Sequence, residues 1–319
     1  MSETASKPAY NSGRRIKWLM LGVLLFVALY TGGWFFVASR VSDVVQTRLI
    51  DLRADGVDVN CPDQDVRGFP FRMGVFCSDF GLKAAQEGLN IDGGAFRSAA
   101  QVYDPTRAVV EIDAPLQIEL SGETVLLDYV VGQAVVEARS SGRRALSVEL
   151  TDGSGEAGDI TTKWDRFTAF SREVDGDLEV AVQGVGLETD ATSVPPLNLD
   201  ADAIVTGASY ETRNMRGKTG TLRRFAIQLN EDRGLLASGP FSVSDVGLLN
   251  ADFNIRVVDV PGIVNDLEAS APKLAAAISG FLYLQPLGGE NGDEVEFVVT
   301  IRDGQAKIGI IPLGSIPAL

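Results

Sequence analysis

The sequence predicts a mainly β protein, with long antiparallel meandering strands forming a curved sheet, groove or sandwich, behind an N-terminal transmembrane helix and with one or two short helices. Three observations carry this reading: an uncharged run from Trp18 to Ser39, period-two alternation of apolar residues in one segment after another, and Gly-containing turn clusters between those segments.

The apolar run WLMLGVLLFVALYTGGWFFVAS spans about 33 Å as a helix at roughly 1.5 Å per residue, enough to cross a bilayer. Residues 1–17 carry Lys7, Arg14, Arg15 and Lys17 against Glu3, whereas charges of both signs follow Ser39. The positive-inside bias therefore gives a cytoplasmic tail over 1–17, a transmembrane helix over 18–39 and an exported remainder, in a bacterial inner membrane facing the periplasm. A cleaved signal peptide ending at Val37-Ala38-Ser39 is the weaker reading, because such apolar stretches usually run about 7 to 15 residues. Trp18 and Trp34 stand near the two interfaces, and Gly22, Gly32 and Gly33 are ordinary for such a helix.

After the membrane, Val41, Val44, Val45, Leu49 and Leu52 recur at helical spacing until Gly56, which predicts a short amphipathic helix over 40–56 packed on the β domain. Residues 57–319 form that domain, with a division near 195, at Pro195-Pro196, if two subdomains exist. Alternation is longest from Val110 to Leu120 and predicts one half-buried strand there. Pro115 lacks an amide hydrogen and places that strand at a sheet edge or bulge. Similar alternation runs through Leu146-Val148-Leu150, Leu178-Val180-Val182, Leu197-Leu199-Ala201, Phe225-Ile227-Leu229, Phe253-Ile255-Val257 and Val295-Phe297-Val299-Ile301. Turn clusters such as Asp175-Gly176 and Asp303-Gly304 join consecutive strands as hairpins. A late helix is expected where Leu267, Ala271, Leu274, Ala275, Ile278, Phe281 and Leu282 share a face, capped near Ser270 and Pro272.

The formal charge of −15 divides unevenly: beyond residue 17 there are 24 basic and 42 acidic side chains. Such a surface repels phosphate backbones, so nucleic acid is not an expected partner. The chain has no histidine, which removes Ser-His-Asp, Cys-His and His-metal chemistry. The acids of Asp152 to Asp159 lack the calcium-loop spacing, and no nucleotide motif is present, so no metal or cofactor is expected.

Cys61 and Cys77 are the only cysteines, and in an oxidising compartment a close pair reads as a structural disulfide; the CxxC spacing of a redox pair is missing. A hairpin with arms Val57–Cys61 and Phe71–Cys77, turning through Gly68-Phe69-Pro70, would place the two opposite each other, roughly 5 Å apart at Cα.

The membrane helix, the amphipathic segment, and Cys61 with Gly68-Phe69-Pro70-Phe71-Arg72 and Cys77 together resemble an uncharacterised, membrane-anchored periplasmic family of alphaproteobacteria. The ending Arg302 to Pro317 looks like that family's last strands. More distantly, the architecture is similar to AsmA-like envelope proteins, whose β grooves are linked to lipid handling. The resemblance implies no catalytic residues. In the turn itself, Gly68 and Pro70 set the backbone, Phe69 and Phe71 staple it to the core, and Arg72 is a candidate donor to a lipid headgroup.

The expected function is non-enzymatic: an anchored envelope protein contacting membrane lipid, or another envelope protein, through a β groove. Ile112, Leu116, Ile118, Phe225, Ile227, Phe297 and Val299 are the expected lipid contacts. Alternation alone leaves open whether the apolar faces close on each other as a sandwich. The rivals are an assembly scaffold without lipid and a hydrolase using two carboxylates among candidates such as Asp128, Asp165 and Glu211, although the polar strand faces account for the acids more simply.

Overall fold

A computed structural model describes residues 12–318 except 87, 139–143, 191–194, 211, 213, 231–232, 271–278 and 280–293. Helix α1 (Ser12–Ala54) is one continuous helix of 43 residues, so the membrane run and the amphipathic segment share an axis about 64 Å long. It is long and apolar enough to span a membrane, as a single-pass anchor requires.

The rest is mainly β, as predicted: among the described residues, 19 antiparallel strands in a single sheet that stays open. Eight short strands come first: β1 (Val57–Asn60), β2 (Asp65–Arg67), β3 (Arg72–Cys77), β4 (Phe80–Ala84), β5 (Leu89–Gly93), β6 (Phe96–Gln101), β7 (Asp104–Ile112) and β8 (Leu116–Leu120). They form two ladders laid end to end along the 16-residue β9 (Glu123–Ala138). The ladder β2-β3-β6-β7 joins the second half of β9, where Arg107 faces Glu137 and Glu111 faces Gln133. The ladder β1-β4-β5-β8 joins the first half, where Leu116 faces Leu127.

The expected single strand over 110–120 is therefore two. Pro115 has no N–H to give the ladder, the chain breaks at Asp113-Ala114-Pro115, and β7 and β8 fall into different ladders, each between two neighbours rather than at an edge. The cysteine hairpin is corrected likewise. β1 pairs with β4, and the hairpin arms are β2 and β3, with Asp65 opposite Phe76 and Arg67 opposite Gly74. Cys61 lies beyond the end of β1, yet it is bonded to Cys77 with the Cα atoms 5.3 Å apart. The disulfide thus staples the seam between the two ladders. Phe80 of β4 stacked on Phe96 of β6, at 5.4 Å, supports the same seam.

From β9 onward the chain meanders through β10 (Arg144–Ala157), β11 (Ile160–Val174), β12 (Asp177–Thr189), β13 (Leu197–Thr206), β14 (Thr219–Asn230), β15 (Arg233–Val243), β16 (Leu249–Val258), β17 (Glu294–Arg302), β18 (Gln305–Ile308) and β19 (Ile311–Ser315). Asp175-Gly176 and Asp303-Gly304 have positive φ at both positions, the geometry that tight hairpins need. β12 and β13, on either side of Pro195-Pro196, are hydrogen-bonded neighbours, so the sheet runs through that point.

Helix α2 is described over Val260–Ser270. Asp259 caps it, its carboxylate accepting the Gly262 N–H at 3.0 Å, with Pro261 in the first turn, and the expected cap Ser270 lies within this helix. Of the expected helical face, Leu267 lies in α2, while Ala271, Leu274, Ala275, Ile278, Phe281 and Leu282 lie outside the described residues.

Among the described residues, close backbone contacts run mainly between ladder neighbours, with α1 against β1 and β2, and α2 against β15. Burial among the described residues is accordingly thin, and several of the most covered side chains are small ones such as Ala208 and Ala226.

Candidate functional site: an open apolar face joined to the membrane helix

Residues opposite each other in an antiparallel ladder project to the same face, so register traces what each face presents. One row runs Val110, Ala134, Val148, Ala169, Val182, Ala201, Phe225, Ala237, Ile255, Phe297, one residue per strand from β7 to β17 with β8 left out. A parallel row runs Leu150, Phe167, Gly184, Leu199, Ile227, Leu235, Val257, Val295. At about 4.8 Å per strand the first row is roughly 43 Å long without a charged residue. Most of these side chains are half-buried, flanked by their row neighbours.

At four strands the face stays apolar although the alternation slips. The Tyr129 ring lies where a Cβ on Gly132 would sit, 2.3 Å from it, Trp164 covers Gly153 and Gly155, and Leu187 covers Gly184. Large side chains laid flat on glycines bring positions three apart to the same side, which two-residue periodicity would place on opposite sides. Burial pushes the Tyr129 phenol above its ordinary pKa, and Asp113 and Asp128 add to the shift. It stays protonated and donates to the Ile112 carbonyl at 3.1 Å.

The opposite face is charged and paired: Arg223 with Asp202 at 3.0 Å and Glu179 at 3.2 Å, Arg224 with Asp200 at 3.7 Å, Arg302 with Asp252 at 2.7 Å, and Arg256 with Glu294 and Glu296. The Arg172 guanidinium, helped by Arg223, holds the Glu179 carboxyl below its usual range. Cross-strand pairing therefore employs many of the acids. Asp128 and Asp165 are both exposed, no charged side chain is buried among the described residues, and Glu211 lies outside them.

All seven expected contacts are half-buried. Phe225, Ile227 and Phe297 stand in the two rows; Val299 shares the Phe297 side of β17, and Ile112 the Val110 side of β7. Ile112 and Leu116 converge on Gly93, and Ile118 faces Val125 on the Tyr129 side of β9.

The turn motif does something the sequence reading missed. Phe69 packs on the membrane helix, with ring centroids 5.5 Å from Trp34, 6.1 Å from Phe35 and 6.4 Å from Tyr30. Tyr30 donates its hydroxyl to the Pro70 carbonyl at 2.6 Å, and the Trp34 indole donates to the Arg72 carbonyl at 3.3 Å. Gly68, at φ 121°, permits this turn, since a Cβ there would meet the Arg72 backbone at 2.8 Å. Phe71 does not staple anything: it is 66% exposed. The Arg72 side chain is exposed beside a 440 Å³ hollow that Gln101, Arg107 and Gln133 also line. The signal for the missed residues is a stripe, Tyr30, Trp34, Ala38, Val41, Val45, Leu49, spaced by three or four along α1 and the side it turns toward the β domain.

A model of an uncharacterised protein family conserved in bacteria, DUF2125, matches residues 34–317. The chain belongs to that family. The match starts at Trp34 and so takes in the docked part of α1 together with the described sheet. No curated protein and no solved structure matches. The family is described as conserved in bacteria at large.

Proposed function

We propose that this is a non-enzymatic protein of the bacterial envelope, anchored by α1 in the inner membrane with its sheet in the periplasm, and that the open apolar face holds the acyl chains of membrane lipid. The observation that carries the reading is the unbroken apolar row from Val110 to Phe297 on a sheet that stays open among the described residues. An apolar strip of that length left to water is unfavourable, and α1 keeps it beside a lipid reservoir. Each methylene taken from water contributes about 0.8 kcal/mol, so a single chain along the strip is held firmly. The basic cluster Arg14, Arg15 and Lys17 supports the periplasmic side, and the paired polar face suits contact with water.

Photocrosslinking side chains placed at Phe225, Ile227 and Phe297 in native membranes are expected to capture phospholipid, with Glu111 and Arg256 on the polar face as silent controls. Crosslinks only to protein at all three positions would defeat the lipid reading and favour the scaffold.

A further inference from the structure

We infer that the β domain itself enters the membrane: the Phe69-to-Arg72 turn and the neighbouring Val102-Tyr103 turn are immersed in the leaflet facing the domain, beside α1. This requires α1 to cross the bilayer but does not depend on what the open face carries.

The first step is a matter of level along the helix. A hydrocarbon core of about 30 Å takes about 20 helical residues, and counting from Trp18, the first residue after Lys17, reaches Val37. Tyr30 and Trp34, which hold the turn through two hydrogen bonds and the Phe69 ring, lie roughly 15 Å and 9 Å short of Arg40 along the axis. The turn therefore sits at the depth of the outer part of the helix's apolar run, not above it. Exposure along α1 agrees, since Phe35, beside the turn, is 60% and Phe36, further round the helix, 61% exposed, large apolar surfaces that suit lipid at that level.

The second step is the character of the tip. Phe71 is 66%, Val102 43% and Tyr103 77% exposed, and the Val102 N–H donates to the Phe71 carbonyl at 3.1 Å, which binds the two turns into one projection. A clustered, unpacked apolar tip is uneconomical in water and favourable at the acyl-headgroup boundary, where aromatic rings concentrate. Arg40, just past Val37 and over the Phe36 ring at 5.3 Å, stands as a cation at headgroup height, and the exposed Arg72 side chain adjoins Phe71. The turn's two hydrogen bonds to α1 satisfy the Pro70 and Arg72 carbonyls inside the protein, as backbone entering an apolar layer requires.

The test uses the full chain reconstituted in phosphatidylethanolamine–phosphatidylglycerol vesicles, with single nitroxide labels on Phe71→Cys, Tyr103→Cys, Phe35→Cys and Ile160→Cys. Ile160 is a control because it lies at the opposite end of the strands from Arg144, the end of β10 nearest the tip. The ratio of oxygen to nickel-complex accessibility at 71 and 103 is expected to match that at 35 and to exceed that at 160 several-fold. Mass analysis showing the Cys61–Cys77 bond intact certifies the fold of each variant. A water-like ratio at either position overturns immersion of that turn, and it does so whether or not lipid is found on the open face.

Discussion

The eight short strands and the long meander belong to one sheet but are held differently. The short-strand region has a seam, and the seam is cross-linked: a disulfide, the Phe80–Phe96 stack, and α1 laid against strands of both ladders. From β10 to β17 there is little besides strand pairing, the ion pairs of one face and the apolar rows of the other. An open sheet needs its position fixed by something besides strand pairing. Among the described residues the fixing is concentrated in the short-strand region beside α1.

The sharpest way to break that contrast is Trp34→Ala. Trp34 is 6% exposed and joins the turn by its ring and its N–H, so its removal costs about 3 to 5 kcal/mol, the range for large aromatic truncations. Hydrogen exchange in vesicles is expected to show protection in β2 and β3 falling on the order of 100-fold while β11 to β15 hold theirs. Equal loss in both regions would mean that the sheet behaves as one cooperative unit and the contrast is false.

Next in size is the double replacement Cys61→Ala with Cys77→Ala. The bond closes a short loop, 16 residues apart in sequence, and contributes about 3 kcal/mol in the chain-entropy model. Melting followed by proteolysis is expected to cut first between Asn60 and Phe80, at a temperature well below that of the parent, with the meander still resistant. A melting profile unchanged in that segment would remove the disulfide from the list of seam supports.

The parts of this structure that local pattern encodes were legible. The uncharged run specified α1, two-residue alternation specified the strands of the meander, and the isolated cysteines specified their bond. What stayed hidden depends on choices between patterns. Pro115 marks a place where a strand cannot continue as an interior ladder, and an edge, a bulge and a break all satisfy it; only the pairing of β7 and β8 with separate ladders decides. The docking stripe through Tyr30, Trp34 and Ala38 sits inside a run apolar on every side, so its three-and-four spacing carries no contrast against its neighbours. Likewise the face shared by Tyr129 and Ala134 violates alternation, and the clue was the glycines under the large rings, which sequence offers only as unexplained gaps. The start of α2 was legible in Asp259 and Pro261, ahead of the apolar face that begins at Leu267.

The smallest expected effect belongs to the far end of the meander, where α2 rests on β15. Arg233 of β15 pairs with Asp259 at 2.6 Å and with Asp266, about two turns further along the same face, and Asp259 also caps the helix through the Gly262 N–H. The Arg233 guanidinium, then the capping N–H, hold the Asp259 carboxyl below its usual pKa, while Arg233 is raised and stays charged at any working pH. A carboxyl lowered in the folded state stabilises above its unfolded pKa of about 3.9 and loses that stabilisation as pH falls through the lower folded value. Docking of α2 is therefore insensitive between pH 5 and 8 on the scale of these groups and weakens only below about pH 4. Hydrogen exchange corrected for intrinsic rate is expected to show the amides of Ile263 to Leu267 opening as pH drops from 5 toward 3, ahead of β11 to β13. Asp259→Asn removes the titrating carboxylate but keeps a capping oxygen, so α2 should start out looser at pH 6 and show a smaller change with acid. Retention of the full acid response in that variant would assign the transition to another pair and detach α2 from the Arg233 contact.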